Sequence, residues 1–403
     1  MKMYQLAYIF LAGVVLTGSC QKGQGKVEEN FSVTPPSMEV EKELSSYSLE
    51  VTSNVSWSVV LEGEGGASVS WATLGRNSGR GNAQLQIRVL ENKYKEPREA
   101  NIVFTTEGNM TYTVKLIQKG DESSQDEGGS VTLRIGTYNL RTSNSDLGTV
   151  NDWSTRKERL KKSFIDCDFD IVGLQELQAD QQAWLRSELG DMYDFHFFSP
   201  YSPTGAEGTK GAQGIGYRKG KITLSDWHYF WASDNPEVMT EADVSPETGT
   251  GYNRGGCCGV FTHTATGVQM FVMNNHGCLF DGPNAKYAHV YVDKEKAYNS
   301  AGLPSFFIGD MNETPNSTEG SPYMTYTSYW KDAFNEVEAS ERTGPKATYN
   351  GFNAPSGKTR EDYVFFRSGK ITVNHYTCNN TLYDGGKYAS DHFPVYVDVT
   401  VSK

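Results

Sequence analysis

The sequence has 403 residues, enough for two or three domains of ordinary size. With 37% hydrophobic and 21% charged residues it is typical of a globular protein, which excludes a disordered chain and a chain embedded in a membrane. Acidic residues outnumber basic ones by 49 to 37 and the net charge is −12, so the composition lacks the basic excess of proteins that grip nucleic acid by charge.

Residues 1–20 have the features of an export signal. Lys2 precedes an uncharged apolar stretch over 4–16, and small residues then lead to Cys20. As a helix this stretch spans roughly 20 Å, which is too short for the ~30 Å hydrocarbon core of a membrane. The ending Leu-Thr-Gly-Ser-Cys resembles the lipobox of bacterial lipoproteins. This resemblance implies that Cys20 is lipidated and that it anchors an exported outer-membrane lipoprotein, on the periplasmic side or the cell surface.

Two polar segments divide the rest of the chain. Residues 21–30 are polar and rich in Gly and Lys, which indicates a tether behind the signal peptide. Residues 120–130 are acidic and small and are typical of an exposed linker. We therefore expect a small domain over 31–119 and a large domain over 131–403.

The small domain is a string of short alternating segments without a helical period. Strands are predicted over 48–52, 55–61, 84–89, 100–105 and 111–118. Such strands separated by turn residues indicate an antiparallel β-sandwich. Trp57 shares one strand face with Val55 and Val59, so we expect its ring in the core. Trp71 is assigned to the core too, and stacking on a sugar is the alternative for both rings.

Several local patterns of the small domain are shared with a known module. They are Asn-Val-Ser-Trp at 54–57, Val-Ser-Trp at 69–71, Ser-Gly-Arg-Gly-Asn at 78–82, Asn92, Arg98 and Ile-Gln-Lys-Gly at 117–120. Together they resemble the BACON domain, a β-sandwich module common in proteins of the Bacteroidetes. The resemblance implies a carbohydrate partner for this domain, and a spacer role is the alternative.

The large domain mixes strands and helices. Strands are predicted over 131–140, 170–174, 213–218, 258–264, 268–275, 304–308, 361–367, 371–377 and 393–401, and helices over 153–165, 178–189 and 285–299. Two sheets with helices outside them fit this order, which indicates a layered α/β sandwich.

Polar residues stand at the ends of six of these strands. They are Asn139, Glu176, Asn275 with His276, Asp310 with Asn312, Asp362, and Asp391 with His392. Any one of them is explained by a turn or a helix cap. Six such ends together are not, and their oxygen atoms suit Mg²⁺ or Mn²⁺ as a cofactor. The two histidines, each with an Asp nearby, add general acid and base capacity.

Two motifs are the most specific features of the large domain, Gly-Asp-Met-Asn-Glu-Thr-Pro at 309–315 and Ser-Asp-His-Phe-Pro-Val at 390–395. With the other strand ends they resemble the endonuclease/exonuclease/phosphatase superfamily. The resemblance implies a four-layer α-β-β-α sandwich and a metal-dependent phosphoesterase, either a phosphodiesterase or a phosphatase. The acidic charge, the predicted export and the predicted membrane anchor favour a sugar phosphate or a phospholipid head group over DNA as the substrate.

The resemblance also implies roles for the strand-end residues. Glu176 is the principal metal ligand with Asn139 beside it, and Asp391 is a further metal or water ligand. Asp310 orients or deprotonates the attacking water and is held by Asn312. His392 acts at the phosphate with its tautomer set by Asp362, and His276 donates to a phosphate oxygen or the leaving group with Asn275 nearby.

The chain departs from common relatives around the expected substrate pocket. A second histidine that often follows the position of His276 is missing, a tryptophan is replaced within 255–259, and Asn350 stands where other relatives have histidine. Arg254 contacts phosphate in one interpretation and forms a surface salt bridge in the other. The alternatives for the whole protein are a secreted nuclease and a carbohydrate-binding envelope protein without activity. We expect a monomer.

Five cysteines follow Cys20, and an odd number leaves at least one unpaired in an exported protein. One disulfide bridge among Cys257, Cys258 and Cys278 is one interpretation. The other is that the cysteines are small buried hydrophobic residues.

Overall fold

The computed structural model describes residues 29–63, 69, 71–92, 97–121, 129–240, 243–244, 251–316, 318–353 and 359–403. The predicted signal peptide with Cys20, and most of the predicted tether and linker, lie outside these ranges. Within these ranges no helix combines the length and the hydrophobicity needed to cross a membrane.

The described residues between 31 and 118 form a sandwich of two sheets. Its strands are β1 (Phe31–Thr34), β2 (Ser37–Val40), β3 (Ser45–Ser53), β4 (Ser56–Glu62), β5 (Ala72–Leu74), β6 (Ser78–Arg80), β7 (Ala83–Val89), β8 (Arg98–Thr106) and β9 (Thr111–Gln118). The strand order is β1-β3-β7-β5 in one sheet and β2-β9-β8-β4-β6 in the other. Because buried residues alternate along the long strands, both sheets contribute to one core, which includes Leu49 and Ile102.

Both tryptophans of the small sandwich are core residues. Trp57 is 3% exposed, and its indole N–H donates to the Gly81 carbonyl at 3.0 Å. A Cβ atom at Gly79 would lie 2.3 Å from the Trp57 ring, so only glycine fits there. Trp71 is buried beneath the Arg98 guanidinium. The core interpretation is confirmed for both rings, which leaves neither of them free to stack on a sugar.

The second part of the chain alternates strands with helices. Its strands are β10 (Ser130–Asn139), β11 (Ile171–Leu177), β12 (Tyr193–Phe198), β13 (Ala212–Arg218), β14 (Ile222–Trp231), β15 (Asp243–Val244), β16 (Gly251–Tyr252), β17 (Gly255–His263), β18 (Gln269–His276), β19 (Ser305–Asp310), β20 (Lys331–Asp332), β21 (Arg342–Thr343), β22 (Asp362–Arg367), β23 (Ile371–Cys378) and β24 (Val395–Ser402). Its helices are α1 (Trp153–Cys167), α2 (Ala179–Leu189), α3 (Asp281–Tyr298), α4 (Pro322–Thr327) and α5 (Ala333–Glu336).

Three hydrophobic cores separate the four layers of this domain. One sheet has the order β12-β13-β11-β10-β24-β23-β21 and the other β14-β17-β18-β19-β22-β20. Ile135 and Val272 belong to the core between the two sheets. Leu160 of α1 and Leu185 of α2 pack on the outer face of the first sheet, and Tyr291 of α3 packs on the outer face of the second. The predicted α-β-β-α sandwich is confirmed.

The structure differs from the sequence analysis in several features, among them the unpredicted strands β12 and β14. The long strand β14 escaped prediction because a bulge between Ser225 and His228 interrupts its alternation. Helix α3 begins earlier than predicted, since Pro283 lies in its first turn, where proline is tolerated. The five cysteines after Cys20 are all buried and free, so their interpretation as small hydrophobic residues is confirmed and a disulfide bridge is wrong.

The topology brings the polar strand ends to one edge of the sandwich. β10 runs parallel to β11, and β18 runs parallel to β19, so their carboxyl ends meet in pairs. β22 is antiparallel to β19 and starts with Asp362 opposite Asp310. β24 is antiparallel to β10, so the residues that precede it, His392 among them, return to the end of β10. The candidate site lies at this edge.

Candidate active site

Asn139 connects the two sheets at the centre of the site. Its side chain is completely buried, and its Nδ2 donates to Glu176 Oε1 at 3.1 Å and to Asp310 Oδ2 at 2.9 Å. Its Oδ1 accepts the backbone N–H of Arg141 at 3.0 Å. This oxygen has a second lone pair, so the predicted role of Asn139 as a metal ligand stays a prediction. The structure adds that its amide N–H groups orient two carboxylates.

Glu176 presents its carboxylate at the end of β11. Its φ is 64°, a conformation that is uncommon outside glycine and is often found at functional sites. Its Oε2 accepts the backbone N–H of Thr142 at 3.1 Å. Burial by itself raises the pKa of Glu176, but His276 and the hydrogen bond from Asn139 lower it to about 2. Glu176 is therefore ionised at neutral pH.

Asp310 is buried between the two histidines of the site. Its Oδ2 lies 3.7 Å from Nε2 of His276 and 3.7 Å from Nε2 of His392. Its Oδ1 accepts the backbone N–H of Asn312 at 2.9 Å, while Asn312 Nδ2 donates to the Gly277 carbonyl at 3.2 Å. Burial raises the pKa of Asp310 to about 7. A carboxyl group poised near neutral pH is suited to take a proton from water.

His392 and Asp362 form a buried pair. His392 Nδ1 lies 2.8 Å from Asp362 Oδ2, which orients the imidazole so that Nε2 lies on the Asp310 side. Burial by itself lowers the pKa of His392, but the carboxylates of Asp362 and Asp310 raise it well above its usual value. His392 is therefore a cation that can donate a proton or neutralise charge on a phosphate group.

His276 is the second imidazole of the site and, unlike His392, it is neutral. Its Nε2 lies 4.0 Å from Glu176 Oε1. Burial, and then the positive charge of Arg254, lower the pKa of His276 to about 3. A neutral His276 can hydrogen-bond to substrate, whereas the charged His392 is the better proton donor.

The sequence predicts that Arg254 and Asn275 are near the substrate, but the structure places only Arg254 beside the site. Arg254 is buried, and its Nε donates to the Gly277 carbonyl at 2.7 Å beside His276, so the surface salt bridge interpretation is wrong. Asn274 bonds to Gln175 of the facing sheet, so the next side chain, Asn275, lies on the α3 face of β18. Asn275 is completely buried there, which corrects the prediction that it contacts substrate.

The residues at this edge fit a divalent cation. Ligand atoms of Asp310, Glu361 and His392 lie within 4.8 Å of one another, a group that would hold a cation only with the His392 imidazole neutral. This group differs from the predicted ligands Asn139, Glu176 and Asp391, which stay a prediction. Asp391 is buried and pairs with Arg141 at 3.3 Å. Burial raises the pKa of both Asp310 and Asp391, although His392 acts on both carboxyl groups in the opposite direction. Carboxylate oxygens of this kind suit Mg²⁺ or Mn²⁺.

Residues 136–392 match the profile of the Endonuclease/Exonuclease/phosphatase family, a match that spans more than half of the chain. The chain belongs to this family. Residues 57–119 match the BACON family, described as an N-terminal binding domain. None of the curated proteins compared with the chain matches it. Phosphoesterases and nucleases make up the family, and its members generally depend on a divalent metal.

Solved structures of family members have the same fold. Endonuclease/exonuclease/phosphatase proteins from Bacteroides thetaiotaomicron and Bacteroides vulgatus are 23% and 25% identical, each with a TM-score of 0.59. The matches cover 68% of this chain and 99% and 100% of theirs. A mannosyl-6-phosphatase from Bacteroides thetaiotaomicron is 24% identical with a TM-score of 0.57, and the match covers 66% of this chain and 99% of that one.

Sequence reasoning missed two charged residues of this phosphoesterase-type site. Glu361 directly precedes the predicted Asp362, and only this proximity in the chain points to it. Arg156 lies on α1, where a charged residue resembles part of a solvated helix face. In the structure it is completely buried and donates to the carbonyls of Leu140 at 2.6 Å, Ala389 at 3.5 Å and Arg141. It ties the segment after β10 to the segment before β24.

We expect Arg156→Met to weaken Mn²⁺ binding by about 10- to 100-fold, because both segments that it ties carry site residues and loss of such a support costs this much at metal sites. A Mn²⁺ titration followed by electron paramagnetic resonance measures the effect. The matched control is Arg159→Met on the same helix, since Arg159 is also buried but its Nη2 donates to the Val150 carbonyl at 2.9 Å. Both variants should lower Tm. Equal Mn²⁺ affinity in the two variants would show that Arg156 does not support the metal site more than Arg159 does.

Proposed function

We propose that the protein is a metal-dependent phosphoesterase that hydrolyses a phosphate ester with an activated water molecule. The observation that carries this is the arrangement around Asp310, which lies 3.7 Å from two imidazoles and 2.9 Å from the amide that also holds Glu176. Such an arrangement supplies a base, a proton donor and an ionised carboxylate within one enclosed edge.

Each side chain then has a defined part in hydrolysis. Asp310 accepts the proton of the attacking water. His392, held by Asp362, donates to a phosphate oxygen or to the leaving group, and neutral His276 hydrogen-bonds to a phosphate oxygen. A cation held by Glu176 and its neighbouring carboxylates would neutralise charge that builds up on the phosphate.

We propose a sugar phosphate or a phospholipid head group as the substrate. The acidic composition disfavours the phosphate backbone of nucleic acids. The similar structure named a mannosyl-6-phosphatase supports a sugar phosphate. The features of residues 1–20 support export and anchoring through lipidated Cys20, which mass spectrometry of the protein extracted from membranes would test by detecting a diacylglyceryl group on Cys20.

Arg254 is proposed to bind the phosphate group, because it is a buried cation beside His276 whose Nε is fixed by the Gly277 carbonyl. We expect Arg254→Ala to weaken binding of inorganic phosphate by about 10-fold or more, which calorimetric titration measures. Arg254→Lys should retain part of the affinity. Arg367→Ala, which removes an exposed arginine stacked on Tyr329, is the control and should bind phosphate normally. Unchanged affinity for inorganic phosphate in Arg254→Ala would contradict the proposed role of Arg254.

Hydrolysis of nitrophenyl phosphate esters tests the proposed function. A diester and the matching monoester are compared with the chain from residue 21 onward, with Mg²⁺ or Mn²⁺ and with EDTA. Diester cleavage that EDTA abolishes indicates phospholipid or nucleic-acid diesters, and DNA cleavage would then favour the secreted nuclease. Monoester cleavage alone indicates a sugar phosphate. No turnover with metal bound would favour the inactive carbohydrate-binding alternative.

A further inference from the structure

One side of His392 is covered by a short segment that reaches the protein surface. The Tyr349 backbone forms an antiparallel bridge with His392, and the Tyr349 ring packs edge-on against the imidazole with 5.1 Å between the ring centres. Tyr349 is nevertheless 39% exposed. An aromatic ring that touches the catalytic imidazole and also faces solvent is available to a substrate.

Hydrogen bonds hold this segment against the site. The backbone N–H groups of Asn350 and Gly351 donate to the Asp391 carbonyl at 2.7 and 3.0 Å. The Thr348 hydroxyl accepts the backbone N–H groups of Glu361 and Asp362 at 2.9 and 3.1 Å. Tyr349 and Glu361 therefore stand on two adjacent segments that are both tied to the site.

Glu361 is a carboxylate of this corner to which the proposed hydrolysis assigns no proton transfer. A carboxylate oxygen of Glu361 belongs to the group of atoms within 4.8 Å that includes Asp310 and His392. The residue is only partly buried, and no described residue donates a hydrogen bond to its carboxylate. A carboxylate in this state can accept hydrogen bonds from a bound molecule.

We propose that Glu361 and Tyr349 form the subsite for the polyhydroxylated leaving group of the ester, a sugar. This inference rests on the proposed function and names its substrate class. The Glu361 carboxylate accepts two sugar hydroxyls, and the Tyr349 ring packs against the apolar C–H face of the sugar.

Two other ligands, a nucleic-acid diester and a second divalent cation, fit these two residues less well than a sugar does. A nucleic-acid diester brings a second phosphate, which Glu361 would repel at short range. A second divalent cation could be held by Asp310, Glu361 and His392. It would not involve Tyr349, because the aromatic ring has no oxygen ligand of the kind that Mg²⁺ prefers at the face near His392. A sugar is the ligand that would contact both residues. The experiment below also tests whether a cation binds there instead.

Calorimetric binding of mannose 6-phosphate and of inorganic phosphate, with Ca²⁺ in place of Mg²⁺ to slow turnover, tests the proposal. We expect the wild-type protein to bind the sugar phosphate at least about 10-fold more tightly than inorganic phosphate, the gain of one or two hydrogen bonds to a charged acceptor. Glu361→Ala and Tyr349→Ala should each remove most of this preference. Tyr349→Phe should keep it, and so should the control Glu338→Ala, which removes an exposed carboxylate of the same domain.

Three results would overturn the subsite. One is equal affinity of the wild type for the two ligands, and another is an equal loss of affinity for both ligands in Glu361→Ala. The third is weaker Mn²⁺ binding in Glu361→Ala, which would make this corner a cation site. Tight and selective binding of the sugar phosphate without any hydrolysis in Mg²⁺ would instead contradict the proposed function and leave the subsite supported, so the two failures are distinguishable.

Discussion

Replacing His392 by alanine is expected to lower turnover of a phosphate ester by about 10²–10⁴-fold, the usual cost of losing a positioned general acid or base. The Asp362 carboxylate holds His392 Nδ1 at 2.8 Å, and Asp362 with Asp310 raises the pKa of the imidazole against the opposing effect of burial. The imidazole is therefore charged and ready to donate. Steady-state kinetics with a nitrophenyl ester measures the loss, and Asp362→Asn should lower turnover in the same direction.

The matched control for this histidine is His375→Ala. His375 lies on β23 of the same domain, and its Nδ1 lies 3.3 Å from Glu341 on the protein surface. We expect this variant to turn over the ester at the wild-type rate. A fall of less than about 10-fold in folded His392→Ala, with His375→Ala unchanged, would remove His392 from the proposed mechanism.

Glu176→Gln should reduce turnover by about 10²–10³-fold and weaken Mn²⁺ binding. Burial raises the pKa of Glu176, but the charge that His276 carries at low pH and the hydrogen bond from Asn139 lower it to about 2. Glu176 is therefore ionised at neutral pH and ready to hold a cation. The amide of glutamine keeps the size of the side chain and removes this charge. Activity should recover in part at high Mn²⁺ concentration, which a metal titration of the rate measures.

Glu188→Gln on α2 provides the comparison for Glu176. Glu188 pairs with Lys161 at 2.8 Å on the protein surface, so its replacement removes a carboxylate from the helix that follows β11 without touching the site. Its rate and Mn²⁺ affinity should match the wild type. If Glu176→Gln keeps full Mn²⁺ affinity and loses activity, Glu176 acts on the substrate or the water rather than on the metal.

Local sequence patterns were sufficient for most of the strands and helices of the large domain and for the polar residues at the strand ends. The segment at 309–315 identified Asp310 at the end of a buried strand, and the segment at 390–395 identified His392 before the last strand. The alternation of Trp57 with its neighbours placed that ring in the core. Strand ends, turns and buried faces depend on residues a few positions apart, so the pattern of the chain contains this information.

The partners of these residues depend on contacts that no local pattern contains. Asn139 and Asp310 are 171 positions apart, and only the packing of the two sheets brings the Asn139 amide within hydrogen-bond distance of Asp310. Arg156 and Ala389 are 233 positions apart, and only the fold shows that this helix arginine is buried and connects two segments of the site. Glu361 joined the site because β22 pairs with β19.

The chain by itself determined the family, the layered fold and the edge at which the chemistry lies. The tertiary structure decided which oxygen is engaged, which histidine is charged and which polar side chain is turned away, as Asn275 is toward α3. The physical reason is that hydrogen bonding and pKa depend on burial and on the atoms within a few ångströms, and these atoms come from distant parts of the chain.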